Sequence, residues 1–196
     1  MSRTDIVVIP HGSSEAILAK SLRKALRLPI ELFDPFGGKR DIAIGNITEV
    51  MDQYGVRDEV TLHRMFPDLQ YSPRHDPRME RLAVFPILDI DSYRNEKKAY
   101  VTGNLFRESP FADRMHPIFN DVNLDDVLIN LGYKISTAGA NKTSTYHAVF
   151  DRMMAKDYER LSEELRTVPE KTNLYILIDF CLSQRPEYQG KVEPPF

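Results

Sequence analysis

Several features that would assign this chain to a common protein class are scarce or missing. Its 196 residues include one cysteine, Cys181, so no internal disulfide can form and we expect a reducing compartment. Its apolar runs stay well below the roughly 18 residues that a membrane span needs, and its first residues lack the pattern of a signal peptide. The net charge of −3 excludes a histone-like basic surface but permits a local basic groove. We therefore expect a cytoplasmic protein that does not associate with membranes.

Motifs of several enzyme and binding classes are also absent from the sequence. Residues 139–143 contain Lys-Thr, but Asn141 stands where a phosphate-binding P-loop requires glycine. Residues 12–15 lack the second glycine of the serine-hydrolase elbow. The histidines lack the paired spacing of zinc sites, and no aromatic motif for base stacking is present. The remaining candidates for chemistry are acidic residues and histidine near predicted strand ends.

The apolar pattern predicts an α/β fold. Apolar residues make up 42% of the chain and charged residues 28%, proportions typical of a single globular domain at this length. Apolar runs predict strands at residues 6–9, 30–33 and 82–88, with a shorter strand at 116–119. Apolar residues repeat with helical spacing over residues 18–26. The order strand, helix, strand, glycine loop and helix favours an α/β architecture.

Other segments carry weaker or mixed signals. Residues 46–66 are weakly helical, and a charged helix is predicted over residues 92–105. Residues 134–143 form a turn-rich break, after which two or three helices follow, and the tail 186–196 is expected to be loose. Pro86 lies within the most apolar strand and cannot donate to a ladder, so it indicates a sheet edge or a bulge.

Two aspartates follow the most apolar strand directly. Asp89 and Asp91 are two residues apart, which puts both carboxylates on one side of an extended chain. Ligands of α/β proteins bind at this end of the sheet, and a divalent cation such as Mg²⁺ or Mn²⁺ relieves the repulsion between such carboxylates. The alternative is that both acids cap the helix that follows.

A second polar cluster follows the first strand. Gly12 permits a sharp turn into the next helix, and the free amides at that helix start suit a phosphate. Glu15 is a candidate ligand for the same metal, or it complements the helix dipole. His11 is a candidate general base or phosphate contact, or an ordinary buried histidine. The two clusters would face one crevice if their strands are neighbours.

The order of these motifs resembles the Toprim family of topoisomerases, primases and OLD-family nucleases. Residues 9–15 resemble the first motif of that family, residues 37–39 its glycine loop, and residues 89–91 match its Asp-x-Asp motif. Residues 123–126 are similar to the polar helix start of stand-alone Toprim-like proteins from mobile elements and phage-defence systems.

The resemblance covers about residues 5–132 and carries expectations for the fold. It implies a Toprim-like, Rossmann-like, mostly parallel sheet of about four strands flanked by helices, with the core spanning residues 1–135. Residues 136–196 are then a helical C-terminal extension that packs on the same domain.

The resemblance also implies metal-assisted phosphoryl transfer, as in a nuclease that cleaves DNA or RNA with Mg²⁺ or Mn²⁺. His11 or Glu15 is then the proton acceptor. The implied metal ligands are Glu15, Asp89, Asp91 and Asp125. The candidate phosphate or nucleic-acid contacts are Gly12, Ser13, Gly38, Lys39, Lys97 and Lys98, with Arg40 and Arg94 beside them. Each of these cations, taken singly, is more simply a solvated surface charge.

The chain departs from the family at one position, because His11 stands where the family places a glutamate. Glu15 then reaches back to the metal, or His11 takes over proton transfer, or this protein binds without cutting. The second hypothesis is accordingly a catalytically silent Toprim-like module that binds nucleotides, nucleic acid or another protein. A third is an α/β protein whose acids only cap helices. Further expectations are a partner protein from the same mobile-element or defence system, and a homo-oligomer.

Overall fold

The strands and helices alternate along the chain in the predicted order. The structure is a computed structural model that describes residues 4–69, 81–91, 95–137 and 139–192. All strands pair in parallel, in the sheet order β2-β1-β3-β4. The predicted α/β class, with a Rossmann-like sheet of four strands, is confirmed. The strands are β1 (Thr4–Pro10), β2 (Ile30–Leu32), β3 (Arg81–Asp89) and β4 (Ile118–Asn120).

Eight α-helices flank the sheet in the described part of the chain, and none of them has both the length and the apolar character to cross a bilayer. The C-cap residue of α1 is Arg27, whose left-handed backbone, with φ 53°, ends the helix. The helices are α1 (Ser13–Leu26), α2 (Ile47–Tyr54), α3 (Glu59–Met65), α4 (Lys97–Val101), α5 (Leu124–Asn130), α6 (Gly139–Phe150), α7 (Ala155–Leu165) and α8 (Tyr175–Ser183).

Several predicted boundaries differ from the structure. The weakly helical stretch 46–66 is two helices, because α2 ends at Gly55 with a left-handed φ of 117°. The helix predicted over 92–105 is an α-helix from Lys97 to Val101, followed by a 3₁₀ turn at Asn104–Phe106, and its residues 92–94 lie outside the described residues. The break predicted over 134–143 is shorter, since α6 begins at Gly139.

Both faces of the sheet are buried, which gives three layers. Ile6 and Val8 of β1 face one apolar cluster, whereas Val7 and Ile9 face the other, as the period-two geometry of a strand requires. The first cluster includes residues of α1 and α5 to α8, and the second includes residues of α2, α3 and α4. The C-terminal helices share one apolar cluster with β1 and β3.

Pro86 lies in a central strand and not at a sheet edge. The bridge between Val84 and Met115 and the pair Ile87–Ile118 have the same register, which places Pro117 opposite Pro86. Neither proline can donate a backbone hydrogen bond, and the β3–β4 ladder is interrupted at this point. The hydroxyl of the buried Tyr100 lies 2.8 Å from the carbonyl oxygens of both Pro86 and Ile118, and its single proton is donated to one of them at a time.

We expect Tyr100→Phe to lower the free energy of unfolding by about 1 kcal/mol, because it removes a buried hydrogen bond from the Tyr100 hydroxyl to the sheet. Chemical denaturation measures this change. Tyr54→Phe is the matched control, since Tyr54 is 41% exposed and its ring contact with Phe36 survives the substitution. Equal stability of the two variants would contradict the role assigned to the Tyr100 hydroxyl.

Candidate active site

The two polar clusters meet at the carboxyl edge of the sheet. β1 and β3 are paired neighbours, and their register places Pro10 opposite Ile87. The backbone N–H of His11 continues this pairing, since it donates to the Ile87 carbonyl at 2.8 Å. Because β1 and β3 are neighbours, the residues that follow them face one crevice.

His11 points into this crevice with a defined tautomer. Its Nδ1 lies 2.8 Å from the carbonyl oxygen of Ile42, which can only accept, so Nδ1 carries a proton. Its Nε2 lies 3.6 Å from Asp89 Oδ2 and 4.0 Å from Asp41 Oδ2. In neutral imidazole Nε2 therefore holds a lone pair that faces the acids, as a proton acceptor or a metal ligand requires.

Asp41 is a site residue that the sequence analysis did not identify. It lies at the end of the glycine loop, is 70% exposed, and approaches Gly12 so closely that a Cβ there would meet Asp41 Oδ1 at 3.0 Å. The loop is held at this place because the backbone N–H of Ile42 donates to the His11 carbonyl at 2.9 Å. A side chain at residue 12 would therefore push the Asp41 carboxylate aside, whereas the extended backbone of Gly12, with φ −154°, suits any residue.

Glu15 lies in the first turn of α1, where its Oε2 accepts the backbone N–H of Gly12 at 3.0 Å. Glu15 is only 3% exposed. Burial raises the pKa of Glu15, and the positive charges of His11 and Lys142 oppose this rise. Glu15 therefore interacts electrostatically with both His11 and Lys142.

Asp89 is the most perturbed carboxylate that the crevice exposes. Its Oδ1 accepts a hydrogen bond from Asn120 Nδ2 at 3.3 Å, whereas its Oδ2 faces His11. Burial, followed by the charge of Glu15, raises the pKa of Asp89 to about 7, against the lowering effects of His11 and Asn120. Asp91 is exposed beyond the strand end and adds to the rise in the pKa of Asp89.

Asp125 lies in a neighbouring cluster that the C-terminal segment completes. Its Oδ2 is 2.7 Å from Lys142 Nζ, and its Oδ1 accepts the hydroxyl of Tyr146 at 2.6 Å, so both oxygens are engaged. Ser14 also hydrogen-bonds to Tyr146, and Lys142 lowers the pKa of Glu15. Lys142 belongs to the segment 139–143, which lacks the glycine of a P-loop. No local sequence pattern predicts its ion pair with Asp125.

The predicted phosphate contacts divide between two places. Ser13 and Gly38 adjoin each other, since a Cβ on Gly38 would lie 3.4 Å from Ser13 Cβ, and exposed Lys39 follows in the same loop. Lys97 instead lies beside β4, where it pairs with Asp121 at 3.7 Å, and exposed Lys98 is adjacent to it. Arg94 lies outside the described residues.

Among the residues that the structure describes, no group of three or more His, Cys, Asp or Glu side chains is arranged to hold a metal ion. The nearest approach is the contact of His11 with Asp89 and Asp41, with Glu15 close enough to influence the pKa of Asp89. The hard oxygen atoms of Asp89 and Glu15 are the donors that could hold Mg²⁺ or Mn²⁺.

We expect Asp89→Asn to stabilise the metal-free protein at pH 8 and to have little effect near pH 4. A carboxyl whose pKa is raised in the fold contributes its stability below the ordinary pKa, and loses it as the pH rises through about 7. The full shift corresponds to at most about 4 kcal/mol in the free energy of unfolding. Denaturation between pH 4 and 8 measures it, with Asp113→Asn, an exposed site before β4, as control. A variant that is equally stable or less stable at pH 8 would contradict this electrostatic account.

The arrangement of the motifs at one sheet edge is what the resemblance to the Toprim family leads one to expect, but it does not identify a family. The fold class is shown by the strand order and pairing, whereas the family assignment stays a prediction that depends on short motifs. Searches of protein-family models, of curated proteins and of solved structures found no match to this chain.

Proposed function

We propose that this protein is a Mg²⁺- or Mn²⁺-dependent phosphoryl-transfer enzyme that cleaves DNA or RNA. The observation that carries the proposal is the 3.6 Å approach of His11 Nε2 to Asp89 Oδ2, beside the buried Glu15, at the carboxyl edge of neighbouring parallel strands. A proton acceptor and carboxylates of perturbed pKa in one crevice are typical of catalytic sites.

The donor chemistry of the crevice fits a divalent cation. Burial raises the pKa of both Asp89 and Glu15, so a cation that offset their negative charge would be favoured there. Mg²⁺ commonly binds through one or two carboxylates and completes its shell with water and substrate oxygens, so a three-residue cluster is not required. When bound, the ion would polarise the phosphate and stabilise its developing charge. Asp89 and Glu15 would hold it, with Asp91 and Asp41 at the exposed rim.

The roles of the protein groups follow from their geometry. His11 accepts a proton at Nε2, because Nδ1 already donates to Ile42, and Asp89 stabilises the imidazolium that results. The exposed start of α1 at Ser13 offers backbone N–H groups to a phosphate oxygen. Lys39 and Arg40, both exposed in the adjoining loop, supply positive charge to a nucleic-acid backbone.

The alternative function is a catalytically silent module that binds nucleotides, nucleic acid or a protein. The observation that favours it is His11, which stands where the resemblance places a glutamate, so the crevice lacks one carboxylate expected of a catalytic Toprim-like site.

We expect Mn²⁺ to raise the melting temperature of the protein saturably and to support cleavage of single- or double-stranded DNA or RNA, because metal binding to the folded state stabilises it. Asp89→Asn should abolish the thermal shift and lower the cleavage rate at least about 100-fold. Asp113→Asn, at the opposite edge of the sheet, should change neither.

The outcomes separate the hypotheses. A thermal shift that survives in Asp89→Asn would place the metal elsewhere and remove the proposed site. Absence of both cleavage and a metal-induced shift, together with nucleotide or nucleic-acid binding that needs no metal, would establish the silent module instead.

We expect the double variant Lys39→Ala/Arg40→Ala to weaken nucleic-acid binding and to flatten its salt dependence by about one to two units of logarithmic slope, since each phosphate contact releases counterions. Fluorescence anisotropy with a labelled oligonucleotide in Ca²⁺ measures binding. Arg152→Ala/Lys156→Ala removes the same charge from the exposed junction of α6 and α7, and should leave the slope unchanged. Equal slopes in both double variants would show that the glycine loop makes no phosphate contact.

A further inference from the structure

A buried chain of hydrogen bonds reaches Asp89 from the outer side of β4. Asn120 is fully buried, and its Nδ2 donates to Asp89 Oδ1 at 3.3 Å. On its other side, Asn120 Oδ1 lies 3.0 Å from the hydroxyl of Thr172, which is also fully buried. An amide at such a position is costly unless it is hydrogen-bonded on both ends, and here both ends are engaged.

Thr172 is itself held by its surroundings. Its Oγ1 accepts the backbone N–H of Leu174 at 3.1 Å and lies 2.8 Å from the Phe119 carbonyl. Thr172 also forms an isolated antiparallel bridge with Asn120, so this residue lies beside the outer edge of β4.

Asn173 fixes the register of this segment on β4. Its Oδ1 accepts the backbone N–H of Phe119 at 2.7 Å, and its Nδ2 donates to the carbonyl of Pro117 at 3.0 Å. A backbone bond from Asp121 N–H to the Lys171 carbonyl, at 2.6 Å, adds a further constraint. Thr172 therefore has little freedom to move relative to Asn120.

The direction of the chain determines how the Asp89 carboxylate is turned. An ionised Asp89 carboxylate can only accept, so Asn120 directs its NH₂ group at Asp89 and its carbonyl oxygen at Thr172. The single hydroxyl proton of Thr172 has two acceptors within reach, that oxygen at 3.0 Å and the Phe119 carbonyl at 2.8 Å. One carboxylate oxygen is then occupied by the amide, and the other is directed at His11 Nε2.

We propose that Asn120 and Thr172 are positioning residues that orient the Asp89 carboxylate, so that Oδ2 faces His11 and the reacting centre. The proposal rests on the proposed function for its catalytic meaning. It also assigns the segment between α7 and α8 a role in orienting a site residue. Removal of a hydrogen bond that orients a metal-binding side chain typically lowers metal affinity or activity by about 10- to 100-fold.

Three variants test the positioning role through Mn²⁺ affinity, measured by isothermal titration. Thr172→Val removes the hydroxyl at nearly constant shape, and we expect the Kd for Mn²⁺ to rise about 10-fold. Thr172→Ser keeps the hydroxyl and should restore the affinity. Ser162→Ala is the matched control, because it deletes another buried hydroxyl, bonded to Asp179 between α7 and α8, that has no part in the chain to Asp89.

A measurement on the metal-free protein keeps the test independent of the proposed function. The ¹H–¹⁵N signals of the Asn120 side-chain amide, assigned by their loss in Asn120→Asp, should move in both Thr172→Val and Asp89→Asn. They should stay in place in Ser162→Ala. Thermal unfolding checks that each variant is folded, and Thr172→Ser preserves the test if Thr172→Val does not fold.

The two readouts distinguish the possible failures. If the unsubstituted protein binds Mn²⁺ and the Kd is the same in Thr172→Val, the positioning role is wrong and the proposed function stands. If the unsubstituted protein neither binds Mn²⁺ nor cleaves, the proposed function is wrong, and the amide signals alone decide the orientation of Asp89. If the chemical shifts of the Asn120 side-chain amide are the same in Thr172→Val as in the unsubstituted protein, the inference is wrong in either case.

Discussion

The parallel pairing of β1 with β3 is the constraint on which the rest of the site depends. Its register places Pro10 beside Ile87, so the two strands end at one level and their next polar residues face each other. His11 thereby approaches Asp89, although 78 positions separate them in the sequence. Neither the helix start at Glu15 nor the glycine loop could contribute to this crevice if another strand lay between β1 and β3.

The crevice concentrates negative charge at a cost in stability. Burial opposes ionisation of Glu15 and Asp89, and the charge of Glu15 makes ionisation of Asp89 less favourable still. Lys142, together with His11 once His11 has accepted a proton, offsets this charge only in part. Sites that carry out chemistry commonly retain such unfavourable electrostatics, because the groups that react must not be neutralised by permanent partners.

The C-terminal third contributes to the site as well as to the core. Lys142 on α6 pairs with Asp125, and Thr172 reaches Asn120 from the far side of β4. The apolar spacing of residues 136–196 predicts a helical extension, because such spacing indicates packing and carries no information about polar contacts. The same packing on the sheet that the spacing predicts is what delivers these two side chains.

Local physics therefore determined the elements and the fold class: β-branched runs and helical spacing give an alternating α/β chain, and chemistry concentrates after its strands. The tertiary structure alone decided strand order, the tautomer of His11 and the partners of Asp41 and Asn120. Those features depend on contacts between segments distant in the chain, since a strand period specifies which face a residue occupies but not which strand lies beside it. For the same reason the charge of Asp89 was visible in the sequence, whereas its raised pKa required the burial and neighbours that only folding supplies.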